Sequence, residues 1–297
     1  MIVRDKPGLW SLLFAMRGSV LPKILPHMLG FAAYSAILVA VDHLVYPLPH
    51  LDGAAFTVFG IALSLFLGFR NNAAYDRWWE ARKLWGGLLA DIRSLTREAE
   101  ISVPDPGARA RILRLALAFA HLHRLNLRRL PLDEAAANWG GAALSRAPHP
   151  PCAALDAIGA EVARGVREGT IDGFGARTLA TRLGSMALNQ AGCERILSTP
   201  LPYVYSLLIF RTVYVYCLLL PLVLVGPAGW VAPLLSAIVA YVFFGLAEVT
   251  EELAHPFTVT GNGLPLDAIC RAAEIAVSPH LGEPAPAPLA PVNFYLG

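Results

Sequence analysis

Gly60, Ser64 and Gly68 recur every four residues and put one narrow stripe of small side chains on a helical face. Such stripes let transmembrane helices approach closely. Ile61, Leu65 and Phe69 recur at the same spacing on the neighbouring face. A stripe of bulky apolar residues ordinarily faces lipid or a core, and spacing alone does not separate that from a pore lining. Arg70 follows at once. Glu248, Glu251 and Glu252 form an acidic cluster that suits either a cation or a solvated helix end. His121 and His123 are two apart, so on a helix they point to different faces and do not make an i, i+4 metal pair. GxxxxGK[ST], HExxH and GxSxG do not occur. No catalytic residue, metal or cofactor is expected. Cys152, Cys193, Cys217 and Cys270 are far apart, with no CxxC pair, and read as buried small hydrophobes.

The elements that must carry these residues are membrane spans. The 297 residues are 56% hydrophobic and 15% charged, with a mean hydropathy of +0.52, which points to a membrane protein. A net charge of +2 and the lack of a basic run argue against a nucleic-acid partner. The N-terminal residues lack the short apolar core and cleavage site of a signal peptide, so none is expected. Residues 24–46, 54–69, 207–225 and 230–247 are apolar enough to cross a bilayer, which takes about 20 residues. The second is short unless its helix continues past Arg70. The stretch "GFRNNAAYDRWWEAR" allows this, because neither Pro nor Gly occurs between Phe69 and Trp85. No Lys or Arg lies between Lys23 and Arg70, or between Arg211 and Arg271. The positive-inside rule then puts both termini and the long central segment in the cytoplasm of a multi-pass inner (plasma) membrane protein.

The central block reads as helices. "YDRWWEARKLWGGLLADIRSLTREAE" ends before Pro104, and "GARARILRLALAFAHLHRL", an amphipathic bundle helix with Arg on one side, stops before Pro131. Helices over residues 153–168 and 174–197 follow. From Gly282 the Pro- and Ala-rich "GEPAPAPLAPVNFYLG" is an extended tail, either a strap on the cytoplasmic bundle or a terminus without a role.

"SLFLGFRNNAAYDRWWEAR" resembles the hallmark of the bestrophin family in its prokaryotic branch, through the Gly-Phe pair, the Arg-Trp-Trp triplet and the Glu after it. "GCERILSTPLPYVYSLLIFRTVYVYCLLLP" and "LPLDAICRAAE" also resemble that family, in the expected order. The resemblance implies an all-α homopentamer with four transmembrane helices per chain, a cytoplasmic helical bundle and a central pore. It implies that Ile61, Leu65 and Phe69 form a hydrophobic neck, with Gly60, Ser64 and Gly68 packing the pore helices. It also implies a second constriction near the cytosolic exit, for which Leu179 is the candidate and Leu183 its neighbour. Trp78, Trp79 and Trp85 then pack the long helix at the membrane edge. Arg70 either adds positive charge below the neck or pairs with a lipid phosphate or a carboxylate.

The expected divisions are residues 1–69, with the N-terminal segment and two spans; 70–206, the cytoplasmic helices; 207–250, two more spans; and 251–297, the C-terminal segment. The expected function is passive conduction of small monovalent ions, with chloride favoured, in a homopentamer whose partners are lipid and small inorganic ions. A cation-selective channel on the same scaffold, a membrane-embedded enzyme and a non-conducting scaffold are the rivals. Animal members carry an acidic calcium clasp around a Pro-Phe pair after the fourth span. Here "EELAHPFTVTGNGLPLD" keeps Pro256 and Phe257 but no run of Asp follows. Calcium favours several oxygen ligands with carboxylates among them, so calcium gating is not expected.

Overall fold

Long apolar runs without turn residues leave the backbone one way to satisfy its own hydrogen bonds in lipid, as helix. The computed structural model describes residues 1–3, 8–10, 15–49 and 51–297. Positions 4–7 and 11–14 of the expected N-terminal segment, and position 50 of the expected loop at 47–53, lie outside the described residues. Among the described residues there is no strand, only isolated bridges joining Tyr295 to Ile2 and to Val292. The helices are α1 (Leu21–Leu44), α2 (Gly53–Ser102), α3 (Pro106–Arg128), α4 (Glu134–Asn138), α5 (Gly141–Leu144), α6 (Pro150–Arg167), α7 (Gly173–Ser198), α8 (Tyr203–Ala228), α9 (Ala232–Ala254) and α10 (Leu266–Val277).

Among the described residues three stretches are long and apolar enough to cross a membrane: α1, α2 and Tyr203–Ala254. The third consists of α8 and α9 with a 3-10 turn, Gly229–Val231, between them. The expected second span does continue as helix, in one 50-residue element. From Gly53 to Arg70 that helix rises about 26 Å, close to a hydrocarbon core of about 30 Å.

The chain divides into two units. One comprises Asp5–Trp78 and Pro200–His255. In it α1 packs on α9 and α8, around Phe31, Leu63, Leu67, Tyr216 and Phe244. Ser236 Oγ donates to Ser35 Oγ at 3.2 Å, both buried, so two small side chains let α1 and α9 come close and give each hydroxyl a partner. Pro26 sits inside α1, and Pro221 and Pro227 inside α8, as transmembrane helices tolerate.

The other unit comprises Met1–Arg4, Trp79–Thr199 and Pro256–Gly297. Its centre is α3, packed by α6, α10 and α7. The amphipathic reading of α3 holds only for its first half. Arg111 and Arg114 are exposed, but from Ala116 to Leu125 every residue is buried. Arg124 and Arg128 avoid the cost of an unpaired buried charge because both bond to Asp267 of α10, and Arg124 also to Asp133. The tail is held rather than loose. Glu283 pairs with Arg114, and the amide of Val3 donates to Phe294 O at 2.8 Å.

Candidate pore face and its flanking charges

The i, i+4 spacing on α2 resolves into two faces of opposite character. Ile61, Leu65 and Phe69 are 65%, 57% and 61% exposed. Leu63 and Leu67 are fully buried in the core shared with α1, α8 and α9. One α2 face therefore packs inside the chain, while Ile61, Leu65 and Phe69, with Val58 and Phe66 beside them, are large apolar side chains left exposed.

The small stripe has mixed roles. Gly60 is buried against α8, and a Cβ there would lie 2.7 Å from the Tyr216 hydroxyl oxygen, so glycine is what admits that ring. Ser64 is exposed, and its hydroxyl donates to Gly60 O at 2.9 Å. A Cβ on Gly68 would meet nothing within 4 Å.

Charges close the end of this face. Arg70 NH2 donates to Glu251 Oε2 at 3.0 Å and to Ser206 Oγ at 2.8 Å, and its side chain is 9% exposed. Of the alternatives for Arg70, the fold adopts the carboxylate partner. Lys23 Nζ bonds to both Glu248 and Glu252. The acidic cluster is thus ion-paired, not a bare solvated helix end. No sequence window reveals this, because Lys23 is more than 200 positions from its partners.

The tryptophans divide. Trp78 stacks on Tyr75 with centroids 6.5 Å apart, and Trp79 is half exposed. Trp85 is buried and stacks on His123 at 5.3 Å.

In the other unit, Leu179 is completely buried and Leu183 half-buried. A side chain that lines a pore between subunits is exposed in one subunit, so the burial of Leu179 argues against the aperture assignment. Leu183 lines a groove of about 550 Å³ with Leu155 and Gly159 of α6. The exposed large apolar residue of the first turn of α7 is Phe174, 86% exposed. Asp172 caps that turn by accepting from Gly175 N at 2.6 Å. The sequence signal for Phe174 is an aromatic two residues after an N-cap Asp, on a turn with no apolar partner.

His121 and His123 differ as their spacing requires. His121 Nε2 lies 2.8 Å from Glu274 Oε1, which also accepts from Trp139 Nε1 at 3.1 Å. Burial alone would raise the Glu274 carboxyl, but bonds from His121 and Trp139 outweigh it and hold the group below its usual range. His123 sits between Trp85 and Phe119, with neither ring nitrogen bonded. Burial lowers its imidazole to about 3. Cys193, Cys217 and Cys270 are buried, as expected, but Cys152 is exposed at the start of α6, because the third residue of that helix faces solvent.

Comparison with known proteins is consistent along the chain. The family profile described as Bacterial/Fungal Bestrophin protein matches residues 1–279. A protein of Mesorhizobium japonicum named as a voltage-dependent anion channel-forming protein is 44% identical, covering 99% of this chain and 97% of its own. The Salmonella typhi protein YneE, which carries the same description, is 39% identical over 93% of this chain and 92% of its own. The crystal structure of a bacterial bestrophin homologue from Klebsiella pneumoniae superposes with a TM-score of 0.79 at 30% identity, covering 89% of this chain and 99% of that one.

Proposed function

The chain belongs to the bacterial and fungal bestrophin family, and we propose that it forms a homopentameric channel that passively conducts small monovalent anions, chloride foremost, across the inner membrane. The relatives named as anion channel-forming proteins support the choice of anion. The observation that carries the reading is the exposed Ile61, Leu65 and Phe69 face on an α2 whose opposite face is buried. Five such faces around an axis make a neck of three apolar rings. Apolar rings bind ions weakly and so do not trap them; narrow and dry, they form a dewetting barrier. The aromatic edge of Phe69 is electropositive and favours an anion. Arg70 does not supply that preference unaided, because Glu251 offsets its charge.

On this reading the chain crosses four times, with α8 and α9 as separate spans, both termini cytoplasmic and the divisions at 1–69, 70–206, 207–250 and 251–297. Gly60 packs the pore helix within its own subunit. Ser64 and Gly68 face the neighbouring subunit. Phe174 replaces Leu179 as the residue of the second constriction. No run of Asp follows Pro256 and Phe257, so micromolar calcium does not gate the channel.

Recording the purified protein in planar bilayers under asymmetric potassium chloride tests the proposal. A reversal potential near that of chloride, with a mass in detergent of five chains, is the expected result. A reversal near the potassium potential makes it a cation channel on the same scaffold. A stable monomer that still conducts, or a pentamer that does not, overturns the reading.

A further inference from the structure

Beside the Arg70–Glu251 pair lies a cavity of about 260 Å³ with walls of two kinds. Ile24, Ile209, Phe210 and Phe244 make one wall apolar. Lys23, Arg70, Glu248 and Glu251 line the other, so cations and carboxylates share one rim. Lys23 and Arg70 bound a stretch that holds neither Lys nor Arg, which puts this rim at the level where hydrocarbon gives way to headgroups.

Two buried polar atoms here have no partner among the described residues. One is Nε of Arg70, on a side chain only 9% exposed. The other is Nδ1 of His27, whose ring stacks on Phe244 at 4.7 Å. Leaving such groups unsatisfied costs about 1–3 kcal/mol each, so the cavity is built for something polar. Lys23 also has a third N–H beyond its two carboxylate bonds. The charge balance restricts the ligand. Among the residues that line the cavity the charges balance, Lys23 and Arg70 against Glu248 and Glu251. A purely anionic headgroup finds no net positive charge there, whereas a zwitterion with a primary ammonium has a partner for each end.

We infer that this cavity is a binding site for a zwitterionic phospholipid of the phosphoethanolamine class. Its phosphate takes donors from Arg70 Nε and Lys23 Nζ, and its ammonium donates to Glu248 and Glu251. Its acyl chain lies along Phe210 and Phe244. The site goes beyond the channel reading and does not depend on conduction, because it needs only the packed spans. It also places a lipid against the residue that follows Phe69.

Native mass spectrometry of the full chain in mixed micelles tests this. Phosphatidylethanolamine should be retained at least about tenfold more than phosphatidylglycerol of the same chains, and Arg70→Gln and Glu251→Gln should each reduce that preference several-fold. Equal retention of the two lipids by the parent protein overturns the inference without recourse to any variant. Soluble phosphoethanolamine separates the lipid from a free phosphate compound. If it displaces the lipid at the concentration that a short-chain phosphatidylethanolamine needs, the apolar wall contributes nothing and the lipid assignment fails.

Discussion

The Arg70 guanidinium and the Glu251 carboxylate meet at 3.0 Å, joining the residue after Phe69 on α2 to the last turn of α9. The carboxylate is 53% exposed. A pair so open on one side contributes about 0–1 kcal/mol to stability. On the proposed channel reading its weight lies in the charge that a passing ion meets. Glu251→Gln removes the offsetting charge and leaves one uncompensated guanidinium per subunit. The reversal potential in asymmetric salt should shift toward that of chloride, and more at low ionic strength than at high, because salt screens the added charge. An unchanged reversal potential in an intact pentamer would place Arg70 outside the ion's field.

Replacing Ile61, Leu65 and Phe69 together by Ala should widen and hydrate the neck. None of the three is buried in its own subunit, so the melting temperature should move little. Unit conductance or open probability should rise by about twofold or more, because the proposed neck places the barrier in the apolar rings. A triple variant that conducts like the parent removes the neck assignment.

Phe174 and Leu179 make opposite predictions from the same helix. Leu179→Ala opens a cavity in a packed interior and should cost about 2–5 kcal/mol, while channels that still assemble keep their conductance. Phe174→Ala touches an exposed side chain and should change stability by no more than about 0.5 kcal/mol. Its effect should appear in single-channel conductance. If Leu179→Ala changes conductance and Phe174→Ala does not, the original aperture candidate was right and the burial argument wrong.

The unequal legibility of these residues has a physical cause. The continuity of α2 was readable because helix propagation is local, and nothing between Phe69 and Trp85 opposes it. Even Gly86 and Gly87 do not stop it. At Gly87 the helix runs close to its neighbour, since a Cβ would lie 2.9 Å from Asn189 Oδ1 and that side chain would have to shift. The exposed face of α2 was readable as a stripe, but its exposure was not, because spacing does not tell lipid, core and pore apart. On α7, Leu179, Leu183, Met186 and Leu188 occupy several faces. The packing of α2, α3 and α6 decides which of them turns inward. The partners of Glu248, Glu251 and Glu252 were illegible because ion pairs between distant helices leave no trace in a local window. The LPLD aspartate shows the same limit. The motif was visible, but Arg124, which Asp267 neutralises together with Arg128, read as one side of an amphipathic surface.

His123 supplies a prediction in pH. It is fully buried between Trp85 and Phe119, neither nitrogen has a partner, and burial lowers its pKa from 6.5 to about 3, with the facing charge of His149 adding to the effect. Between those two pH values the unfolded chain binds a proton that the folded chain refuses. Stability therefore falls as pH drops below about 6.5, with a slope of up to about 1.4 kcal/mol per pH unit from this residue. Other groups titrate in the same range, Glu274 among them, so the informative quantity is a difference between two proteins. His123→Phe keeps a flat ring in the aromatic stack and breaks no hydrogen bond. At pH 7.5 it should be as stable as the parent or more so, because an unsatisfied polar group is gone. From pH 6.5 to pH 5 its melting temperature in detergent should fall less steeply, and the gap between the two proteins should widen. A gap that stays constant over that range would mean that His123 takes up its proton in the folded protein, and the buried neutral imidazole would have to be abandoned.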